Sequence, residues 1–201
     1  MQFIYGTGNP AKLAHMRRML EGIDIQLRGL ATLGMPVPDV PETGVTPLEN
    51  ATLKALAYYR AFQAPVFSCD SGLYIDGLEP ARQPGVHVRN VGNRTLSDAE
   101  MCAHYAGIAR SMGGRCIARY RNGVCAITAP NRVWQDMSEA ISGAPFYLVD
   151  RPHPARREGY PLDSISVHID SGAYFYDRAW TEDGDLAQGF RAFFRRVLAE
   201  S

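Results

Sequence analysis

The opening of the chain constrains the fold more than any other stretch. Gln2–Tyr5 reads as a short apolar strand, Gly6-Thr7-Gly8-Asn9 as a turn of small residues, and Pro10 as the start of a helix running to about Glu21. Asn9 is a favoured helix N-cap, and Pro10 a favoured first helical residue, because the N–H it lacks would be unpaired there anyway. Leu13, Met16, Met19 and Leu20 recur at helical spacing and give that helix one apolar stripe. Ile23–Leu27 then reads as a second strand.

The same alternation continues through the first half. Residues 34–46 are rich in Pro and Gly and read as a loop. A helix follows over Pro47–Phe62, announced by Thr46 and Glu49 as a capping box with Pro47 at its first position. Pro65–Cys69 reads as a strand, Asp70-Ser71-Gly72 as a turn and Leu73–Ile75 as a strand again. Residues 79–94 read as a loop, and Ser97 caps a helix over about 98–111. Cys116–Arg121 and Val124–Thr128 are predicted as strands joined by a hairpin at Asn122-Gly123, a strong local turn signal. Val133–Ile141 and Ile165–Ile169 read as strands, residues 150–161 as a Pro/Arg-rich loop, and Leu186–Glu200 as an amphipathic helix. Strands alternating with helices, then running consecutively, predict an α/β fold with a mixed sheet and an antiparallel part.

Composition narrows the partners. The 201 residues carry 21 basic and 21 acidic side chains, so there is no overall field for nucleic acid or an anionic membrane. An anionic ligand must be met by a local cluster. The cysteines, Cys69, Cys102, Cys116 and Cys125, show no C-x-x-C spacing, which predicts reduced thiols and a cytoplasmic protein. The N-terminus has no signal-peptide pattern and no apolar stretch is long enough to span a bilayer, so a soluble chain is expected. Of the 21 basic residues 19 are arginine; Lys12 and Lys54 alone keep an ammonium.

Three segments carry chemistry. At Thr7–Lys12 a strand, a small-residue turn and a helix N-terminus make a natural phosphate site, unless the segment is simply a capped helix. Lys12 lies in the first helical turn, where a cation is disfavoured by roughly 0.3–1 kcal/mol and a bound anion would offset the cost. At Glu42–Ala55, Asn50 and Lys54 share a helix face. The capping box accounts for Glu49 by itself. Lys54 is notable because a compact ammonium on phosphate is not interchangeable with the guanidinium this chain uses almost everywhere else. At Asp70-Ser71-Gly72 a carboxylate sits where a strand is predicted to end, as open α/β sheets place their ligands; it could hold Mg²⁺, orient a water, or merely build a turn.

Together these segments resemble the inosine triphosphate pyrophosphatase (ITPase) family of non-canonical purine nucleoside triphosphate pyrophosphatases, over residues 1–90. The family's T/S-x-N-x-x-K is matched by Thr7, Asn9 and Lys12. Its E-T-G-x-T-x-x-E-N-A-x-x-K-A is matched by Glu42, Thr43, Gly44, Thr46, Glu49, Asn50, Ala51, Lys54 and Ala55. Its D-D-S-G-L-x-V-D-A-L is matched by Asp70, Ser71, Gly72, Leu73, Asp76 and Leu78, and its P-G-V-x-x-A-R by Pro84, Gly85, Val86 and Arg89. The resemblance implies a long central mixed sheet flanked by helices, in one domain over residues 1–201 with two lobes around a cleft, and a homodimer. It implies Mg²⁺-dependent hydrolysis of a nucleoside triphosphate to monophosphate and pyrophosphate, with Mn²⁺ as an alternative ion. Carried across, Asp70, Lys12 and Lys54 are catalytic, and Glu49 and Asp70 hold the metal. Thr7, Asn9, Ser71, Gly72 and Arg89 bind substrate.

Two departures bear on function. Cys69 stands where the family has the first acid of its D-D pair, and a thiol is a poor partner for a hard ion. In the second half, Gly159–Ile165 can be laid on the family's G-F-G-[YW]-D-P-I: Asp163 matches the aspartate, Leu162 replaces the stacking aromatic, and Tyr160 can stand in for it. The base-reading Ser-His-Arg falls on Ala187, Gln188 and Gly189, followed by Phe190 and Arg191. Tyr160, Asp163, Gln188 and Arg191 are therefore the candidate residues at the base end. The implied function is a nucleotide pyrophosphatase of house-cleaning or specialised metabolism with altered base choice; the alternative is a catalytically silent nucleotide-binding module.

Overall fold

A computed structural model describes residues 1–92, 94–157, 159–177 and 184–201. Asn93 and Glu158, within two of the predicted loops, lie outside the described residues. Strands β1 (Gln2–Tyr5), β2 (Gln26–Gly29), β3 (Val66–Ile75), β6 (Arg115–Ala129), β7 (Arg132–Asp136), β8 (Phe146–Val149) and β9 (Ser166–His168) form one mixed sheet. Its order is β2-β1-β3-β6-β8-β9, with β7 also on β6. Helices α1 (Pro10–Met19), α2 (Pro47–Phe62), α3 (Asp98–Ser111) and α4 (Gly184–Glu200) flank it, which bears out the expected α/β class. A small ribbon of β4 (Asn90–Val91) and β5 (Arg94–Thr95) forms at the end of the predicted 79–94 loop.

The chain divides into two compact units, one made of Met1–Ser71, Arg121–Ser142 and the C-terminal helix, the other of Gly72–Tyr120 and the segment opening at Gly143. In the first unit β1 pairs in parallel with β2 and with β3. Alternation along the strands sorts the core onto two faces. Phe3, Tyr5, Phe67 and Cys69 pack with Met16 and Met19 of α1 and Phe190, Phe193 and Phe194 of α4. Ile4 and Val66 pack with Ala51, Ala55 and Tyr58 of α2. Tyr5 stacks on Phe67 at 4.5 Å, and Phe194 meets Phe67 edge-on at 4.8 Å.

In the second unit β6, β8 and β9 run antiparallel. Leu73, Ile75, Cys116, Ala118, Phe146 and Leu148 bury one face against Met101, Tyr105 and Ala109 of α3. Ser97 caps α3 through a complete capping box with Glu100.

Four predicted elements are corrected. Asn122-Gly123 does not turn: β6 passes straight through it as one fifteen-residue strand. The Asn122 side chain is buried, accepting from Ser71 Oγ at 2.6 Å and donating to the Ile141 carbonyl at 2.7 Å. A Cβ at Gly123 would lie 2.3 Å from Leu48 N, so this glycine serves a close backbone approach rather than a turn. Asp70-Ser71-Gly72 likewise does not turn but continues β3, which puts Asp70 in the middle of a strand. Gly72 is small because a Cβ there would lie 3.0 Å from the Gly85 carbonyl oxygen, whose residue pairs with Leu73 by two backbone hydrogen bonds. The second strand begins at Gln26, since the chain after α1 is still turning at Ile23, whose amide donates to the Leu20 carbonyl. Val133–Ile141 divides into β7 and a short 3-10 turn over Glu139–Ile141.

The Gly123→Ala variant is expected to lose about 3 kcal/mol through the clash with the start of α2. Gly107→Ala, in α3 with open space around it, should instead gain about 0.5–1 kcal/mol. Urea denaturation of the two variants checks both.

Candidate active site

The loop before α2 is folded by its own side chains. Thr46 caps the helix, accepting from the Glu49 amide at 3.2 Å, while Glu49 Oε2 accepts from the Val45 amide at 2.7 Å. Asn50, fully buried, accepts from the Gly44 amide at 2.8 Å. Gly44 must lack a side chain, because a Cβ would sit 2.6 Å from Glu49 Cβ and 2.7 Å from Asn50 Oδ1. This brings Glu42 back beside the second turn of α2. Lys54 Nζ then donates to Glu42 Oε1 at 3.1 Å and to Asp70 Oδ1 at 3.2 Å.

The side chains of Lys54 and Asp70 are each 10% exposed and that of Glu42 49%. Burial by itself disfavours the Lys54 ammonium, but Asp70 and then Glu42 outweigh it and hold its pKa above the ordinary 10.5. The result is a buried cation flanked by one buried and one half-open carboxylate, with a local charge of −1.

The N-terminal turn belongs to the same unit. Gly6 is wedged in place, since a Cβ would meet Ser68 Oγ at 2.2 Å and the Tyr58 ring at 2.6 Å. The Asn9 amide donates to Thr7 Oγ1 at 3.2 Å, and Asn9 Oδ1 accepts from the amides of Ala11 and Lys12 at 2.9 and 3.4 Å. Thus Asn9 itself occupies two of the helix N–H groups. The first turn of α1 carries no acid, and the half-buried Lys12 ammonium makes no ion pair among the described residues. Lys12 rises from α1 on one face of β3 and Lys54 from α2 on the other. Both lie close enough to Cys69 to favour its thiolate. Burial dominates nonetheless, and the Cys69 thiol is pushed up to about 12.

Cys69 and Asp70 are consecutive residues of a strand and face opposite ways. The thiol joins the aromatic core with Phe67, whereas the carboxylate meets α2. Ser71 Oγ donates to Asn122, which ties it to β6.

The remaining candidates are placed as follows. Glu49, assigned to the metal by resemblance, is exposed and bonded to the Val45 amide. Arg191 Nε donates to the Met19 carbonyl at 2.8 Å, the end of α1 opposite Lys12. Gln188 is exposed on α4. Gly189 packs so tightly that a Cβ would lie 1.8 Å from the Ala140 carbonyl oxygen, so the third position of the base-reading triplet admits no side chain. In the second unit Arg89 donates to the Leu96 carbonyl and to Asp98. There Asp163 accepts from Arg157 at 2.9 Å, and the Tyr160 amide donates to the Arg157 carbonyl. Glu42 received no role from the sequence. Its only signal was the E-T-G motif, because twelve residues separate it from Lys54 and no helical spacing rule joins them.

Two carboxylates around one ammonium suit a hard divalent ion completed by substrate oxygens and water, the usual arrangement for Mg²⁺. Among the described residues no cluster of three or more His, Cys, Asp or Glu is available to cage a metal without such help.

Residues 3–143 match the sequence model of the Ham1 family. A dITP/XTP pyrophosphatase of Porphyromonas gingivalis is 39% identical over 101 residues, half of each chain. One from Deinococcus deserti is 40% identical over 93 residues, 46% of this chain and 42% of that protein. The chain thus spans about half the length of the curated relatives it matches. The structure of a HAM1 protein from Coxiella burnetii superimposes over the whole of both chains with a TM-score of 0.73 at 20% identity, a likeness of fold.

Lys54→Met should cost about 3 kcal/mol, because it leaves Asp70 buried without its cation. A raised Lys54 pKa means that the pair's stabilisation is intact below 10.5 and fades as pH rises through the folded value. Urea titrations between pH 9 and 11.5 should therefore show an alkaline decline in the parent protein that the variant lacks. All four cysteines are buried, so Ellman's reagent at pH 8 should label none until denaturant is added.

Proposed function

The chain belongs to the Ham1 family, and on that premise we propose that it is a nucleoside triphosphate pyrophosphohydrolase, releasing monophosphate and pyrophosphate. The observation that carries the reading is the buried Lys54 ammonium held between Asp70 and Glu42, in the same unit as the Lys12 turn. The names of the relatives, dITP/XTP pyrophosphatase, support the same reaction class. The reading includes a homodimeric cytoplasmic protein that acts on free nucleotides.

In this reaction a water oxygen bonds to the α-phosphorus, the bond from that phosphorus to the α–β bridging oxygen breaks, and pyrophosphate leaves with the bonding electron pair. Asp70 orients the water and accepts its proton. Lys54 moves from carboxylates alone to sharing its three N–H donors with phosphate oxygens. Lys12 and the Thr7–Asn9 turn hold the far end of the polyphosphate, where Lys12 gains the anion that its helix position otherwise lacks. Asp70 and Glu42 would hold Mg²⁺ or Mn²⁺, with Glu49 in the first turn of α2. A bound ion supplies neutralisation of phosphate charge and a more acidic water. At the base end Gly189 offers no side chain and Arg191 is spent on α1, which supports altered base choice. Tyr160 and Asp163 remain the candidates for contacts there.

Pyrophosphate release over a panel of nucleoside triphosphates with Mg²⁺ tests the proposal. Asp70→Asn should lower kcat/KM by about 10²–10⁴-fold. Glu42→Gln should raise the Mg²⁺ requirement more than Glu49→Gln does. Tight triphosphate binding with no turnover on any substrate would instead support a silent binding module, the reading favoured by a core-facing Cys69 in the place of an acid.

A further inference from the structure

The second unit carries a cationic pocket that plays no part in the reaction above. Helix α3 ends in a Schellman arrangement: the Gly113 amide donates to the Arg110 carbonyl and the Gly114 amide to the Ala109 carbonyl, with φ of +91° and +97° at the two glycines. The chain then enters β6 at Arg115, which lies opposite Val149 of β8. The Asp150 amide donates to the Gly114 carbonyl, and Arg151 follows. The Gly-Gly corner thereby draws Arg110, Arg115 and Arg151 around one open pocket of about 620 Å³.

The charges there do not cancel. Among the described residues Asp150 is the one carboxylate lining the pocket, and it lies 3.7 Å from Arg110 Nε, too far for a hydrogen bond. Arg110 also serves the negative end of α3, which accounts for its position. The other two have no such account. The Arg115 guanidinium rests over the Tyr147 ring at 4.7 Å, a contact that positions the head of an exposed side chain. The Arg151 guanidinium makes no hydrogen bond or ion pair among the described residues. An added Cβ at Gly113 would meet nothing within 4 Å, so that wall of the pocket is open.

We propose that this pocket binds a phosphate-bearing small molecule, with Arg115 and Arg151 as its principal donors and Arg110 as supporting charge. Guanidinium forks suit phosphate oxygens held two at a time, and three cations against one carboxylate favour a multiply charged anion. Pyrophosphate and a nucleotide phosphate tail share that chemistry. The site does not depend on the proposed hydrolysis and lies in the other unit from Lys12 and Asp70.

The test is a titration of the full chain, ¹⁵N-labelled, with pyrophosphate and separately with a nucleoside monophosphate, following amide resonances in a Lys12→Met background that weakens the first site. Saturable shifts at Gly113, Gly114 and Asp150 with either probe are expected, the tighter probe identifying the source of the phosphate. Arg151→Gln, an exposed change that should leave the rest of the spectrum in place, is expected to weaken binding about tenfold. Arg115→Gln should do the same, and added salt should weaken binding further. Absence of shifts at these residues with both probes, or shifts that both Gln variants leave unchanged, would overturn the proposal.

Discussion

Lys54 keeps its charge inside the protein because Asp70 and Glu42 outweigh the cost of its burial, and the Asp70 side chain sits in mid-strand against that ammonium. Taking either ion out of water costs several kcal/mol, and only an opposite charge at hydrogen-bond distance compensates. The surroundings of the pair follow from that requirement. Asn50 and Gly44 fold the loop so that Glu42 reaches the same ammonium, and Gly123 lets the start of α2 settle on the backbone of β6. Small changes in these supports would move an ammonium held 3.1 Å from Glu42 and 3.2 Å from Asp70. The fold itself thereby holds the Lys54 ammonium in one place.

Much of this architecture was legible in the sequence wherever a local interaction decides the structure. The Asn9 and Pro10 start of α1, the Thr46 and Pro47 start of α2 and the Ser97 cap of α3 were all readable, because a cap is a contact between residues two or three apart. Tertiary demand overrode local signal elsewhere. Asn122-Gly123 is a hairpin signal in isolation. In the folded chain the amide side chain is needed to bridge Ser71 and Ile141, and the missing Cβ admits Leu48. β8, four residues of Phe, Tyr, Leu and Val, passed unread because so short an apolar run has no periodicity of its own.

The site divides along the same line. Lys12, Lys54 and Asp70 stand out by residue type and spacing, and the structure places Lys54 and Asp70 in contact. Glu42 was hidden because its partner is reached through a loop rather than along a helix. The base end shows the reverse: positions that resemblance marks for recognition are occupied by packing, with Gly189 against Ala140 and Arg191 against the end of α1.

The opposite orientation of Cys69 and Asp70 has an evolutionary consequence. Adjacent codons here answer to separate pressures. A change at 69 is felt first by the aromatic layer between β3 and α4, as heat tolerance and yield of folded protein. A change at 70 is felt by the buried charge pair with Lys54. Position 69 answers to the core, and position 70 to the buried charge.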